Sequence, residues 1–219
     1  MGMSKSRVEA FSDGVFAIAI TLLVLTVAQP RTYSNLAHEL ATQWPSLAAY
    51  IVSFAVIGIM WINHHSVFLN LEQVDRGLLY LNLLLLMTIA FLPYPTGVLG
   101  QALAKGQGTR TAAVVYGVVM AINAYVWTGL WLYASRHRRL LRPEFPEDEL
   151  ATATLLFTVG PVIYTLSVGV AFLNAYAFLA LQGLLAVYYA LDPISRRPAR
   201  RGQGGQDDHD PAGERDPPV

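Results

Sequence analysis

Three ionisable residues mark the start of the first long apolar stretch of the chain. Arg7, Glu9 and Asp13 lie in the string Arg-Val-Glu-Ala-Phe-Ser-Asp-Gly. On a helix Glu9 and Asp13 are four residues apart and share a face, and the long side chain of Arg7 reaches toward the same side. Ionisable groups are costly among apolar residues, so they form either an interfacial cap with an ion pair or a buried polar group that fixes this helix against its neighbours. The spacing leaves both interpretations open.

A second polar group ends the next apolar stretch, in Met-Trp-Ile-Asn-His-His-Ser-Val-Phe. Trp61 and His64 are three residues apart and share a helix face, whereas His64 and His65 point about 100° apart and do not address one site. A metal site needs more convergent ligands than these, so the pattern favours hydrogen-bonded interior histidines. A contact from His64 to Asp13 or to Ser12 is geometrically allowed, and Asn82 lies at a similar depth.

The composition indicates that helices spanning a membrane position these residues. The chain has 219 residues, of which 54% are hydrophobic and only 14% charged, against a usual charged fraction of about 25%. Ten of its 30 charges fall in the last 24 residues. A polytopic membrane protein is predicted, not a soluble enzyme. The net charge of zero gives no support to a nucleic-acid partner, and the absence of cysteine excludes thiolate metal sites and cysteine nucleophiles.

The uncharged stretches predict an all-α fold with six spans and a helix break near Asn174. Basic residues divide 12 to 3 between the two sides if both termini are cytoplasmic, which supports that orientation and a multi-pass protein of the cell membrane. Residues 1–195 form the predicted membrane domain, and residues 196–219, rich in Gly, Pro, Asp and Arg, form a disordered cytoplasmic tail. The predicted spans are 8–28, 46–69, 78–99, 111–135, 150–172 and 175–191.

One stripe of the first span is apolar along its whole length. Helical spacing places Gly14, Ile18, Leu22 and Leu25 on this stripe, with Thr21 at its edge. The periodicity does not distinguish a packed core from the lining of a pore.

The motifs in the first three spans resemble the transmembrane protein 175 family, the endosomal and lysosomal potassium channels of animals and their prokaryotic homologues. The resemblance rests on Arg7-x-x-x-Phe11-Ser12-Asp13 with the apolar run that follows it. Trp61-x-x-His64-His65-x-x-Phe68 and the string beginning Leu81-Asn82 extend the resemblance, and Leu92-Pro93 follows. It covers about residues 5–191, but the last three spans match only in hydropathy. A single six-span unit is similar to the prokaryotic members, which assemble as tetramers.

The resemblance implies a homotetramer with a pore lined by the first helix of each subunit. Ile18 then forms the narrowest ring, Leu22 and Leu25 form the next apolar rings, and Thr21 contributes to potassium preference. The remaining motif residues are implied to form a polar network that holds the pore helix: Arg7, Phe11, Ser12, Asp13, Trp61, His64 and, by position, Asn82.

The expected function is therefore a potassium-permeable cation channel. The chain lacks the Thr-Val-Gly-Tyr-Gly carbonyl filter of the usual potassium channels, so side chains must do the filtering and an apolar ring can gate by dewetting. The expected partners are other copies of the chain, the lipid bilayer and monovalent cations, with K⁺ as permeant ion and no metal or other cofactor. The alternative is a proton-coupled transporter of small solutes or a proton-sensing membrane protein that uses Asp13 and His64. An enzyme is not expected, because no convergent nucleophile, metal set or phosphate loop is present.

Overall fold

The computed structural model describes residues 4–30, 33–143 and 146–191, and the predicted tail lies outside these residues. Within them the fold is all-α, and the one β-type contact is an isolated bridge between Leu71 and Leu141. Short 3₁₀ turns occupy Leu23–Thr26 and Arg138–Leu140. The α-helices are α1 (Lys5–Leu22), α2 (Leu36–Thr42), α3 (Trp44–Leu69), α4 (Arg76–Phe91), α5 (Pro93–Lys105), α6 (Thr109–Arg136), α7 (Glu147–Leu173) and α8 (Ala175–Leu191).

Five described segments are long and apolar enough to cross a membrane, and α8 is a shorter apolar helix of 17 residues. Together they account for the six predicted spans, with α4 and α5 joined end to end as the third. The joint lies at Leu92-Pro93, because Pro93 lacks the N–H that would continue the α4 hydrogen-bond pattern. The short α2, capped by the side chain of Asn35, was not predicted from the sequence.

A proline inside α7 shapes its packing against α6. Pro161 has no N–H to donate to the carbonyl of Phe157, four residues earlier. The hydroxyl of Thr128 on α6 donates to that carbonyl instead. The indole of Trp131, also on α6, stacks on the Phe157 ring at a centroid distance of 5.0 Å. The α6–α7 contact therefore satisfies the backbone group that proline leaves open, as a membrane environment requires.

Asn174 separates α7 from α8 at the predicted position. Its backbone is extended (φ −155°, ψ 120°), so the helix cannot continue through it. Its side-chain oxygen accepts hydrogen bonds from the backbone N–H groups of Tyr176 (2.9 Å) and Ala177 (3.0 Å). These contacts cap α8 and allow the chain to reverse direction within one residue.

The α3–α4 and α6–α7 connections pair with each other at one end of the bundle. The Glu72 N–H donates to the Leu140 carbonyl at 2.8 Å, and the Arg142 N–H donates to the Asn70 carbonyl at 3.0 Å. Lys5, at the start of α1, donates its ammonium group to the carbonyl of Leu71 at 2.7 Å. Backbone pairing therefore joins the two connections, and the Lys5 side chain ties the first helix to a segment 66 residues away.

Asp75 holds the same end together through its carboxylate. One oxygen accepts from the Leu78 N–H (2.9 Å) and caps α4, and the other accepts from the Tyr133 hydroxyl and from Arg139, both at 3.1 Å. Burial alone would raise the pKa of this carboxyl, but the hydrogen bonds from Leu78, Tyr133 and Arg139 outweigh it and lower the pKa below its ordinary value.

Candidate functional site on the first helix

Helix α1 has one face packed against the rest of the subunit and one face left open by it. Three predicted constriction residues lie on the open face: Ile18 is 60% exposed, Leu22 42% and Leu25 77%. Thr21 and Gly14 are exposed on the same side. The packed face consists of Val8, Ser12, Phe16, Ala19 and Leu23, each at most 2% exposed.

The open face changes pitch near its far end. The α-helix ends at Leu22, and Leu25 lies in the 3₁₀ turn that follows. With rises of about 1.5 Å and 2.0 Å per residue in the two helix types, Ile18 and Leu25 are separated by about 12 Å along the axis. An uninterrupted α-helix would give about 10 Å. The apolar rows are therefore spaced more widely than the sequence pattern predicts.

The hydrogen bond of the Thr21 hydroxyl fixes which of its atoms is available to other groups. Its hydrogen is donated to the backbone carbonyl of Ile18 at 2.9 Å. The lone pairs of the hydroxyl oxygen then remain as the acceptor that this exposed side chain presents. A group of this kind can accept from water or coordinate a cation.

Behind α1, three buried side chains form a directed chain of hydrogen bonds. The imidazole Nε2 of His64 lies 2.9 Å from the Asn82 side-chain oxygen, and the Asn82 amide nitrogen donates to the Ser12 hydroxyl at 3.0 Å. Ser12 donates in turn to the Val8 carbonyl at 2.9 Å. Because the Asn82 oxygen can only accept, Nε2 of His64 must carry a hydrogen. The chain joins α3, α4 and α1 with each side chain at most 2% exposed.

Aromatic rings surround His64 on its other sides. It stacks on Phe68 at 4.3 Å and meets Phe16 and Trp127 edge-on at 5.3 Å and 6.1 Å between ring centroids. Among the described residues, no group of three or more His, Asp or Glu side chains is placed to hold a metal ion. This environment is that of a hydrogen-bonded interior histidine.

Asp13 belongs to a separate contact nearer the surface. The indole N–H of Trp61 donates to its carboxylate at 2.9 Å, and the Trp61 ring stacks on His65 at 6.4 Å. Both Asp13 and Trp61 are exposed. His64 therefore reaches Ser12 through Asn82, and the direct contact to Asp13 that its depth allowed is not formed.

Arg7 and Phe11 do not join either network within one subunit. Arg7 is exposed and its guanidinium forms no hydrogen bond or ion pair with any residue in the described ranges, and Phe11 is 57% exposed. The expected approach of Arg7 to Asp13 is absent, because six residues on a helix are separated by about 120° around the axis and about 9 Å along it. Arg7 is left free to contact another molecule.

Other buried polar contacts were not anticipated from the sequence. Ser53 on α3 shares hydrogen bonds of 2.9 Å with the hydroxyls of Tyr116 and Thr96, and Asn123 donates to Thr88 at 2.6 Å. The only available signal was the presence of these polar residues within apolar spans. Nothing in their spacing indicated which residues pair.

Comparisons of the sequence and the fold with known proteins point to one family. The family described as endosomal/lysosomal potassium channel TMEM175 matches residues 7–93. A protein named as a potassium channel in Streptomyces collinus is 46% identical over 192 residues, which is 87% of this chain and 93% of that protein. The human endosomal/lysosomal proton channel TMEM175 is 40% identical over 101 residues, which is 42% of this chain and 20% of that protein.

A solved structure extends the similarity to the fold. The crystal structure of a lysosomal potassium-selective channel TMEM175 homologue from Chamaesiphon minutus superimposes with a TM-score of 0.77 at 37% identity. It covers 85% of this chain and 96% of that one. This chain therefore belongs to the TMEM175 family, as a member of the prokaryotic type.

Proposed function

We propose that this chain forms a potassium-permeable cation channel whose pore is lined by α1 from four copies. The observation that carries the proposal is the open face of α1, on which Ile18, Thr21, Leu22 and Leu25 are all exposed in the single subunit. A second support is the naming of the Streptomyces collinus and Chamaesiphon minutus relatives as potassium channels.

The open face suits a pore better than a surface in contact only with lipid. Asp13 stands exposed at one end of it and Thr21 within it, and both polar groups are costly in hydrocarbon unless water or protein reaches them. The opposite face is hydrogen-bonded through Ser12 to Asn82 on α4, which is bonded in turn to His64 on α3. A helix held in this way has a fixed rotation and presents the same residues to every neighbouring copy.

Ile18, Leu22 and Leu25 then form three stacked apolar rings that replace a carbonyl filter. A narrow apolar ring excludes water until it widens, so Ile18 acts as the gate. Thr21 offers the only hydroxyl oxygen between the Ile18 and Leu22 rings, with its lone pairs free to accept. Branched alkyl rings supply no oxygens to replace a hydration shell, so the preference for K⁺ over Na⁺ is modest and depends on Thr21.

The proposed channel domain is residues 1–195, in the cell membrane with both termini cytoplasmic. The 12 to 3 division of basic residues supports this orientation. The paired connections near Leu71 and Leu141 then lie on the cytoplasmic side. Residues 196–219 follow as the proposed disordered cytoplasmic tail.

The test is potassium flux through the purified chain in liposomes. Wild-type protein is expected to carry a K⁺ flux, and Ile18→Asn is expected to raise it at least tenfold because an amide wets the constriction. Val24→Asn places the same amide in the 3₁₀ turn that follows α1, at a residue that is 55% exposed but off the stripe, and it is expected to leave the flux near the wild-type value. Absence of flux in both the wild type and Ile18→Asn would overturn the proposal.

A proton-permeable or proton-coupled protein is the second candidate. The human relative carries the name of a proton channel, and Asp13 is an exposed carboxylate at the foot of the stripe. The same liposomes loaded with a pH-sensitive dye distinguish the two. Proton flux that requires Asp13, together with saturable uptake of a solute, would favour this candidate over a potassium channel.

A further inference from the structure

A cavity lies inside the subunit, away from the open face of α1. It has a volume of about 90 Å³, is partly open, and is lined only by residues of α3, α6, α7 and α8. Small residues create the space: Ala124 on α6, Gly160 and Pro161 on α7, and Ala186 on α8. The lining includes Asn123 near the middle of α6, so the cavity lies within the membrane-spanning part of the bundle.

Two amide side chains in this cavity have unused hydrogen-bonding capacity. The Asn63 side chain forms no hydrogen bond with any other residue in the described part of the chain. Asn123 is 1% exposed, and its side-chain nitrogen donates to the Thr88 hydroxyl. Its side-chain oxygen has no partner among the same residues. Polar groups among apolar walls are stabilised by a partner that hydrogen-bonds them, so these two amides favour an occupant with a polar head.

The remaining walls are apolar and aromatic. Trp127, Phe157 and Tyr164 line the space, and none of the lining residues is Asp, Glu, Lys, Arg or His. Such walls favour an uncharged ring over an ion. For scale, a dry cavity of about 150 Å³ accommodates benzene. The enclosed space here is smaller, about 90 Å³, so a single ring fits only by extending through the open side of the cavity between the helices.

We infer that this cavity is a binding site for a membrane-borne neutral amphiphile with a single ring and one hydrogen-bonding head. The head is a hydroxyl or amide that donates to the Asn123 oxygen and exchanges hydrogen bonds with Asn63. The ring lies against Trp127 and Phe157. A phenol with a short alkyl chain has this chemistry and partitions into bilayers.

Two ring contacts connect a molecule bound in this cavity to the first helix. Trp127 forms part of the cavity wall and meets His64 edge-on at 6.1 Å, and His64 meets Phe16 of α1 at 5.3 Å. Phe16 lies on the packed face of α1, behind the stripe that contains Ile18. Binding should therefore alter potassium flux, and this consequence, unlike the binding itself, rests on the proposed function.

The binding test uses the full-length protein in liposomes and a photoreactive 4-alkylphenol, with labelled residues located by mass spectrometry. Saturable labelling of Met60, Leu156 or Phe157 is expected. It should be competed by 4-propylphenol about tenfold better than by 4-propyltoluene, which lacks the hydroxyl, because one hydrogen bond to a buried amide is worth about a factor of ten. Non-saturable labelling spread over the lipid-facing surface would overturn the inference, and so would equal competition by the two compounds.

Gly160→Leu and Gly169→Leu form a matched pair of variants on α7. A Cβ at Gly160 meets only the Tyr189 hydroxyl, at 4.0 Å, so a leucine enters the cavity, whereas Gly169 faces open space elsewhere. Gly160→Leu is expected to lower saturable labelling at least tenfold and Gly169→Leu to leave it unchanged. Equal labelling in both variants would contradict the site.

Asn63→Leu provides an independent variant if Gly160→Leu fails to fold. It retains the cavity walls and removes one amide, so the preference for 4-propylphenol over 4-propyltoluene should fall to less than threefold. An unchanged preference would overturn the role assigned to Asn63. Potassium flux measured on the same samples separates the two proposals: labelling without any flux in the wild type would refute the channel and leave the binding site standing.

Discussion

The hydrogen-bonded chain behind α1 yields a prediction whose size follows from its geometry. Replacing Asn82 by Leu removes two bonds between helices and leaves the Nε2–H of His64 buried without an acceptor. Hydrogen bonds between membrane helices contribute about 0.6 kcal/mol each on average, and an unsatisfied buried donor costs about 1–3 kcal/mol. Asn82→Leu should therefore lower the free energy of unfolding by about 2–4 kcal/mol.

A second substitution isolates the coupling energy between His64 and Asn82. His64→Phe keeps the ring contacts with Phe16, Phe68 and Trp127 but removes the donor, which leaves the Asn82 oxygen unpaired. It should cost about 1–3 kcal/mol. In the double variant neither unpaired group remains. Its cost should fall short of the sum of the single costs by at least about 1 kcal/mol, since groups in one network couple.

The assay is reversible unfolding in detergent micelles, followed by tryptophan fluorescence, for the wild type, both single variants and the double variant. Asn82→Leu combined with Gln182→Leu is the control, because Gln182 bonds to Ser167 and shares no hydrogen-bond partner with Asn82. That combination should be additive within about 0.5 kcal/mol. Additivity for the His64 and Asn82 pair as well would refute the hydrogen-bonded chain.

Three further predictions follow from side chains described above. Thr21→Val should reduce the preference for K⁺ over Na⁺ in bi-ionic flux measurements, because it removes the free oxygen; an unchanged ratio in Thr21→Val alongside a normal flux would remove Thr21 from the selectivity role. Asp75→Asn should lower stability at neutral pH by about 0.5–1 kcal/mol, as expected for a partly exposed charge pair. Since the folded-state pKa of Asp75 lies below its ordinary value of 3.8, the stabilisation exists above pH 3.8 and is lost as the pH falls through the folded-state pKa. A difference in denaturant midpoint that stays constant through that range would contradict the assignment. Gly77→Ala should cost about 1–3 kcal/mol, because a Cβ there collides with the Tyr133 hydroxyl, and Tyr133→Phe in the same background should recover part of the loss in thermal unfolding.

Periodicity could predict that the apolar stripe of α1 shares one face, because helical periodicity is a local property, but it could not predict that this face is left open. The spacing of Ile18, Leu22 and Thr21 fixes which side chains share a face, and the structure leaves that face exposed. The sequence did not indicate the change to 3₁₀ geometry at Leu23, which moves Leu25 further along the axis. Such a change depends on what the last turn packs against, and no local pattern records it.

The partners of polar side chains were harder to predict than their positions. The depth of Asn82 follows from its position along α4, but the order His64, Asn82, Ser12 depends on how three helices rotate against one another. Arg7 does not approach Asp13 because the two residues are offset by about 120° around the helix axis. The cavity could not be predicted at all, because it arises where Gly160 and Pro161 on α7 meet side chains from three other helices.

The pairing of the two connections also has a consequence for how the protein is made. Gln73 donates to the carbonyl of Arg139, a residue 66 positions later in the chain. At synthesis rates of about 5–20 residues per second, the ribosome needs roughly 3–13 s to produce that partner. Throughout this interval α1, α2 and α3 are already synthesised, while the backbone groups of residues 70–72 still lack their partners. Shortening or deleting residues 137–142 should therefore impair maturation of the first half of the chain, even though every helix in that half is intact.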